Sequence, residues 1–298
     1  MKKVLALVLT AILALAFVPA AMAGDTIVIG ALLSDTSNTF FVTMQEAIEA
    51  TAAELGAQTI VLDGANDAAK DVTNMEDLIS AGVDFVLYNP VDSNAAAAVV
   101  EAAAAAGIPV ISIDRSVNGA DVVCHIASDN VYGGRIATEY AIELIGGEGF
   151  IAEIQGQAGA SAANERHQGF NEAVAANGKV TVVSSQIGDW DTTKAMQIME
   201  NILTAFPEVQ AVFCANDNMA VGAAQACQQN GRADVFIVGF DCEAVALQAI
   251  SEGTMAATIK QQPALMGKLG VETALAFLKG EAVESNIGAP VALVTEAE

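Results

Sequence analysis

The chain has 298 residues and carries 36 acidic against 12 basic side chains, which gives a formal net charge of −24. A chain of this length suits two domains of ordinary size. The strong acidity argues against binding to nucleic acids and to anionic membrane surfaces, because both would repel the protein.

The first 23 residues have the pattern of a signal peptide that is removed from the mature chain. Lys2 and Lys3 give a basic start, residues 4–18 form an apolar run, and Ala21-Met22-Ala23 supplies the small residues at which a signal peptidase cuts. The apolar run is shorter than the ~20 residues that a membrane-spanning helix needs. The sequence therefore predicts an exported, periplasmic protein that starts near Gly24.

Strand and helix patterns alternate along the rest of the chain. Short β-branched and apolar runs predict strands at residues 26–33, 59–62, 84–88, 110–114, 122–127, 150–155, 181–185, 211–215, 235–240 and 256–260. Longer segments with helical spacing predict helices at residues 40–55, 68–81, 93–106, 132–145, 161–175, 192–205, 219–229, 244–252 and 265–279.

This alternation predicts the α/β fold class, with parallel sheets that carry helices on both faces. A single sheet of ten strands would be unusually large, so the pattern favours two doubly wound domains. The break between them falls near residues 127–130, where no Pro- or Gly-rich linker occurs. We therefore expect the chain to cross between the domains several times through short segments.

Polar and aromatic side chains follow one predicted strand after another. Ligands of open parallel sheets bind at the carboxyl ends of the strands, so these side chains are the candidate site. They are Ser34, Asn38, Phe40, Phe41, Asn89, Asp114, Arg115, Arg166, Trp190, Asn216, Asp217, Phe240, Asp241 and Gln261. Sugar hydroxyls both donate and accept hydrogen bonds, and sugar C–H faces pack on aromatic rings. Each residue alone fits a helix cap or a core position equally well, but their recurrence at one edge favours a sugar site.

Enzymatic and cofactor motifs are missing from the sequence. It contains no nucleophile elbow, phosphate-binding loop or zinc-protease motif, and no cofactor or metal ion is predicted. The four cysteines are scattered and fit small buried hydrophobic residues; they are Cys124, Cys214, Cys227 and Cys242.

A secreted sugar-modifying enzyme remains the alternative from another class. A hydrolase would need two carboxylates across the scissile bond, and Asp114 and Asp241 are the available pair. We expect the neighbouring Arg115 and Arg166 to lower the pKa of both carboxyl groups. Such carboxylates suit acceptors for hydroxyl groups better than a general acid.

Long segments of the chain closely resemble the periplasmic ribose-binding proteins of bacterial ABC importers, in the LacI-like binding-protein superfamily. The segments begin with SDTSNTFF at residues 34–41, NPVDS at 89–93, IPVISIDR at 108–115 and HIASDNVYGG at 125–134. They continue with QGQAGASAANERHQGF at 155–170, DWD at 189–191, VQAVFCAND at 209–217, VGFD at 238–241 and ATIKQQP at 257–263. The resemblance covers essentially the whole mature chain.

The resemblance implies two lobes joined by a three-segment hinge. The amino-terminal lobe would hold residues 25–128 and 262–288, and the carboxyl-terminal lobe residues 129–261 and 289–298. It also implies that the strand-end residues named above, except Asp217, contact a monosaccharide, with D-ribose the expected ligand. The alternatives are the hexose D-allose and then pentoses other than ribose, because Trp190 occupies a position that is often Phe in this family and Thr39 replaces a common Pro.

The implied partners are the sugar and the permease of an ABC importer in the inner membrane, and some relatives also report to a chemotaxis receptor. We expect a monomer. Repressors of the LacI type share the fold, but here the segment before the first strand is an export signal and the acidity opposes DNA binding.

Overall fold

The structure is a computed structural model that describes residues 26–296. The predicted signal peptide at residues 1–23 lies outside the described residues. The remaining predictions on strands, helices and site residues fall within them.

The first lobe is built on a six-stranded parallel sheet. Its strands and helices are β1 (Val28–Leu33), α1 (Thr39–Glu54), β2 (Gln58–Asp63), α2 (Ala68–Ala81), β3 (Phe85–Tyr88), α3 (Ala96–Ala105), β4 (Val110–Ile113) and β5 (Cys124–Ser128). The late helix α9 (Pro263–Leu278) and strand β11 (Asn286–Ala289) return to this lobe. The strand order is β11-β5-β4-β3-β1-β2, so consecutive strands spread to both sides of β1.

The second lobe repeats this plan with a four-stranded parallel sheet in the order β7-β6-β8-β9. Its elements are α4 (Asn130–Leu144), β6 (Gly149–Gln155), α5 (Ser161–Asn177), β7 (Val180–Ile187), α6 (Thr192–Ala205), β8 (Ala211–Cys214), α7 (Asp217–Gln229), β9 (Phe236–Val238) and α8 (Ala244–Ser251). A small antiparallel pair of β10 (Thr258–Lys260) and β12 (Ala292–Val294) packs beside them.

Each sheet buries both faces, as the near-continuous apolar strands predict. In β3, Phe85 and Leu87 pack against α1 and α9, whereas Val86 and Tyr88 pack against α2 and α3. The second sheet is covered by α4 and α5 on one face and by α6, α7 and α8 on the other. The predicted α/β fold class with two lobes is therefore confirmed.

Helix and strand predictions differ from the structure mainly at their ends and in the tail. The strands β11 and β12 were not predicted, and the antiparallel pairing of β10 departs from the expected parallel pattern. The predicted strand at 235–240 shortens to the three residues of β9. Cys124, Cys214 and Cys227 are buried as expected, but Cys242 is half-buried.

The chain passes between the lobes near residues 128–130, 260–263 and 289–292. The lobe boundaries inferred from the sequence stay a prediction. Among residues 26–296, no helix is long and apolar enough to cross a membrane.

Candidate functional site

A cavity of about 40 Å³ lies between the two lobes, at the carboxyl ends of both parallel sheets. Its lining consists of Asp35, Asn38, Phe40, Phe41, Asn66, Asp114, Arg115, Ala162, Arg166, Trp190, Asn216, Asp241 and Gln261. The structure thus brings together all the family-matched site residues except Ser34, Asn89 and Phe240.

Asp35, Asn66 and Ala162 line the cavity but were missed in the sequence. Asp35 follows Ser34 directly after β1, and Asn66 lies in the turn after β2. Both follow the carboxyl end of a parallel strand, where ligands bind, so the sequence could have indicated them. Ala162 lies in the first turn of α5 and carries no polar group that could have signalled it.

Asp114 and Arg115 form the polar floor of the first lobe, directly after β4. The Nδ2 atom of Asn89 donates hydrogen bonds to Asp114 Oδ2 at 3.0 Å and to the carbonyl oxygen of Ile113 at 2.9 Å. Arg115 is buried and donates from Nη1 to the carbonyl oxygens of Pro90 and Val91. Asn89 therefore holds Asp114 in place from behind instead of lining the cavity.

Ser34, like Asn89, is completely buried behind the first-lobe wall. Its backbone N–H donates to Asn89 Oδ1 at 3.2 Å. The Ser34 side chain is therefore not part of the cavity lining, although Ser34 was a predicted sugar contact.

Arg166 is the corresponding anchor in the second lobe, where it is 3% exposed. Its Nη1 atom donates to the carbonyl oxygen of Ala215 at 2.7 Å and lies 3.6 Å from Asp241 Oδ1, while Nε donates to Asn130 Oδ1 at 2.9 Å. The guanidinium carbon lies 3.8 Å from the centroid of the Phe240 ring. Phe240 thus supports Arg166 from outside the cavity lining, and these contacts fix the guanidinium plane.

The aromatic walls come from both lobes. Phe40 and Phe41 begin α1, and their rings meet edge to face at 5.1 Å. The guanidinium carbon of Arg115 lies 5.5 Å from the Phe41 ring and 5.8 Å from the Trp190 ring, so this arginine stands between rings of opposite lobes. The Trp190 side chain lines the cavity and packs against the core of the second lobe.

Four lining residues adopt positive φ angles, which are unfavourable for most residues other than glycine. The φ angles are 56° at Asn66, 63° at Asp114, 63° at Trp190 and 124° at Asp241. Such conformations cost about 1–3 kcal/mol each and concentrate at ligand sites.

Several polar atoms of the lining are buried without a hydrogen-bond partner in the described part of the chain. They are Asp114 Oδ1, Asn216 Nδ2, Gln261 Oε1 and Trp190 Nε1. Buried polar atoms are almost always hydrogen-bonded in native proteins, so each of these four atoms needs a partner that the described chain does not supply. Two of these atoms are acceptors and two are donors, which matches hydroxyl groups.

The arginines favour a lower pKa at both carboxyl groups, but the expected net lowering of the two pKa values is wrong. Burial raises the pKa of Asp114, although Arg115 and Arg166 oppose the rise. Burial also raises the pKa of Asp241 well above its ordinary value, although Arg166 opposes it. Removal from water outweighs the attraction of the arginines in this closed cleft. The pKa argument against an enzyme therefore fails, and the question depends on other evidence.

No group of three or more His, Cys, Asp or Glu side chains within residues 26–296 is placed to hold a metal ion.

A cavity between two lobes that carries hydrogen-bonding groups on both sides defines a two-lobed solute-binding protein.

Comparisons with known proteins place the chain more closely. The family model of the periplasmic binding protein domain matches residues 29–282. The ribose import binding protein RbsB of Salmonella typhimurium is 45% identical over 294 residues, which cover 99% of this chain and 98% of that protein. The protein of the same name from Bacillus subtilis is 42% identical over 268 residues, covering 90% and 87%. The chain belongs to the periplasmic binding protein family.

Solved structures agree with this membership. An ABC transporter periplasmic solute binding protein from Actinobacillus succinogenes with bound D-allose has a TM-score of 0.85 and 29% identity, covering 91% of this chain and 98% of that chain. The Caulobacter myo-inositol binding protein bound to myo-inositol has a TM-score of 0.86 and 30% identity, covering 91% and 94%. Membership in a family of transport proteins confirms the prediction of a binding protein instead of an enzyme.

Proposed function

We propose that this chain captures D-ribose in the cavity between its lobes, closes over the sugar and delivers it to an ABC importer in the inner membrane. The observation that carries the proposal is the cavity lining, which combines aromatic rings with side-chain oxygens of Asp114 and Gln261 as acceptors and the amide of Asn216 as a donor. A pentose hydroxyl can donate to the two acceptors and accept from the amide. Relatives named ribose import binding proteins, at 42–45% identity, support the choice of sugar.

Closure of the lobes follows from the distribution of the binding groups. Asp114 and Arg115 belong to the first lobe, whereas Arg166, Asn216 and Asp241 belong to the second. A sugar that bonds to both sets binds more tightly when the lobes are together, so it shifts the equilibrium toward the closed form. The closed form is then the species that the permease, and in our proposal also a chemotaxis receptor, recognises.

D-allose is the second candidate ligand. The Actinobacillus protein with bound D-allose supports it through its similar fold. The relatives named ribose import binding proteins, which are more similar to this chain in sequence, favour the pentose.

Calorimetry on protein that has been unfolded, washed and refolded to remove bound sugar tests the proposal. We expect D-ribose to bind at one site per monomer and D-allose to bind more weakly. If D-allose binds more tightly than D-ribose, D-allose is the ligand instead of D-ribose. The absence of binding by any pentose or hexose would refute the sugar-binding function. Light scattering after gel filtration should give the mass of a monomer.

Export to the periplasm is part of the same proposal, supported by the pattern of residues 1–23 and by the family. Mass spectrometry of the protein from cell envelope extracts should show an amino terminus at or near Gly24. A dominant membrane-bound species that retains Met1 would contradict it.

A further inference from the structure

Asp217 follows β8 next to the lining residue Asn216, but the side chain of Asp217 itself does not line the cavity. It is completely buried at the start of α7. A buried carboxylate is costly unless hydrogen bonds satisfy its oxygens, so its partners indicate what it does. Both oxygens of Asp217 accept hydrogen bonds, and neither donor belongs to α7.

The contacts of Asp217 join α7 to two distant segments of the chain. Oδ1 accepts from the hydroxyl of Thr258, the first residue of β10, at 2.7 Å, and Oδ2 accepts from the backbone N–H of Glu243 at 2.8 Å. Thr258 Oγ1 in turn accepts from the backbone N–H of Cys242 at 3.2 Å. A methyl group at Gly239 would overlap Asp217 Oδ1, so the glycine makes room for the carboxylate.

The backbone that these hydrogen bonds hold is strained. The φ angles are 124° at Asp241 and 65° at Cys242, both in the region that disfavours residues other than glycine. Such conformations persist only where the surrounding structure determines them. The two N–H groups that follow Asp241 are bound by Thr258 and by Asp217, so the carboxylate stabilises the turn that carries Asp241.

This turn reaches the sugar cavity through the side chain of Asp241. Its Oδ1 atom accepts from Gln261 Nε2 at 2.6 Å and lies 3.6 Å from Arg166 Nη1. All three residues line the cavity. A displacement of the turn would therefore move one acceptor of the site and disturb its contacts with two other lining residues.

We propose that Asp217 is a positioning residue for the sugar site: its carboxylate holds the turn of residues 241–243 against β10 and thereby keeps Asp241 in place for the ligand. This inference rests on the proposed function, since it needs a sugar in the cavity. Because Asp217 does not line the cavity, its effect on affinity passes through Asp241.

A double-mutant cycle of Asp217→Ala and Asp241→Asn, measured by calorimetry with D-ribose, tests the proposal. We expect Asp217→Ala alone to bind D-ribose about 30-fold more weakly, because the turn loses the acceptor that holds it. In Asp241→Asn protein, whose contact with the sugar is already weakened, Asp217→Ala should reduce the affinity by less than about threefold. A carboxylate that only stabilises the fold would lower the free energy of unfolding without this coupling.

Three further variants complete the test. Asp217→Asn keeps an oxygen that can accept from the Glu243 N–H, so it should regain about tenfold of the affinity that Asp217→Ala loses. Thr258→Val keeps the shape of its side chain but removes the hydroxyl, and it should weaken binding about fivefold. It replaces Asp217→Ala in the cycle if that variant does not fold. Thr273→Val is the matched control, because Thr273 is also buried but lies in α9, away from the cavity, and it should bind like wild type.

The outcomes distinguish the two proposals. D-ribose affinity within twofold of wild type in Asp217→Ala and Thr258→Val, or equal losses with and without the Asp241 carboxylate, overturns the positioning role and leaves sugar binding intact. If wild-type protein binds no pentose or hexose, the proposed function fails and this inference fails with it.

Discussion

Removal of the Asp114 carboxylate tests the site most directly, and two variants separate its charge from its shape. Asp114 is 3% exposed and its φ is 63°. Asparagine tolerates this left-handed conformation, so Asp114→Asn should preserve the fold. Alanine adds about 1–2 kcal/mol of backbone strain at such a position, so Asp114→Ala should also lower the free energy of unfolding.

The expected losses follow from the contacts of the two carboxylate oxygens. Oδ2 accepts from Asn89, whereas Oδ1 has no partner in the described chain and is available to a ligand hydroxyl. A hydrogen bond to a charged group contributes about 1.5–3 kcal/mol and a neutral one about 0.5–1.5 kcal/mol. Asp114→Asn should thus weaken ribose binding by about 1–2 kcal/mol, or roughly 5- to 30-fold. Asp114→Ala should weaken it by about 2–4 kcal/mol, or roughly 30- to 1,000-fold.

Calorimetric titration with D-ribose measures both affinities, and thermal unfolding without sugar reports the stability separately. Asp234→Asn is a suitable control, because the Asp234 side chain is 64% exposed and does not line the cavity. This control should bind like wild type. If Asp114→Ala binds D-ribose within twofold of wild type, the assignment of the cavity as the sugar site is refuted.

Three further predictions concern closure, the second lobe and pH. Ser161→Ala should weaken ribose binding by about 2- to 10-fold in calorimetry, because Ser161 Oγ accepts from the backbone N–H of Ser116 across the lobes at 2.8 Å; equal affinity would exclude a role in closure. Arg166→Lys should bind ribose at least about 30-fold more weakly, since lysine cannot keep both the hydrogen bonds and the stacking on Phe240. A loss of affinity below threefold would contradict this. Burial raises the pKa of Asp71 to about 6, so the folded state holds this proton more tightly than the unfolded state. The associated stability is present below pH 4 and is lost as the pH rises through 6. Urea unfolding measures the free energy of unfolding of wild type minus that of Asp71→Asn. This difference should decline by up to about 3 kcal/mol between pH 4 and pH 7, and a constant difference would refute the pKa shift.

Local signals determined the parts of the fold that were predicted to the residue. Helix α2 has the predicted limits because Asp67 caps its first turn and Gly82 ends it in a left-handed conformation. Helix α6 likewise begins after Asp191, whose side chain accepts from the backbone N–H of Lys194. Such signals depend on a few adjacent residues and can be read without the rest of the chain.

The missed strands depend on distant contacts instead. Strand β11 contains Asn286 and Gly288, which have low strand propensity, and it forms only because it pairs with β5 at the edge of the first sheet. The site shows the same division. Its location followed from strand ends, but the position of Asn89 behind Asp114, and of Phe240 behind Arg166, depends on three-dimensional packing.

The closure driven by the ligand that we propose requires a sugar to bind the closed form more tightly than the open form. Only a ligand with different affinity for two states shifts their equilibrium, and a shift from 1:99 to 99:1 needs about 5.5 kcal/mol. Four buried atoms on lining residues Asp114, Trp190, Asn216 and Gln261 have no hydrogen-bond partner in the described chain, and in the proposed closure the ligand supplies those partners. At about 1–1.5 kcal/mol for each hydrogen bond, they supply about 4–6 kcal/mol that exists in the closed form alone. This differential interaction is of the size that a switch between open and closed lobes requires.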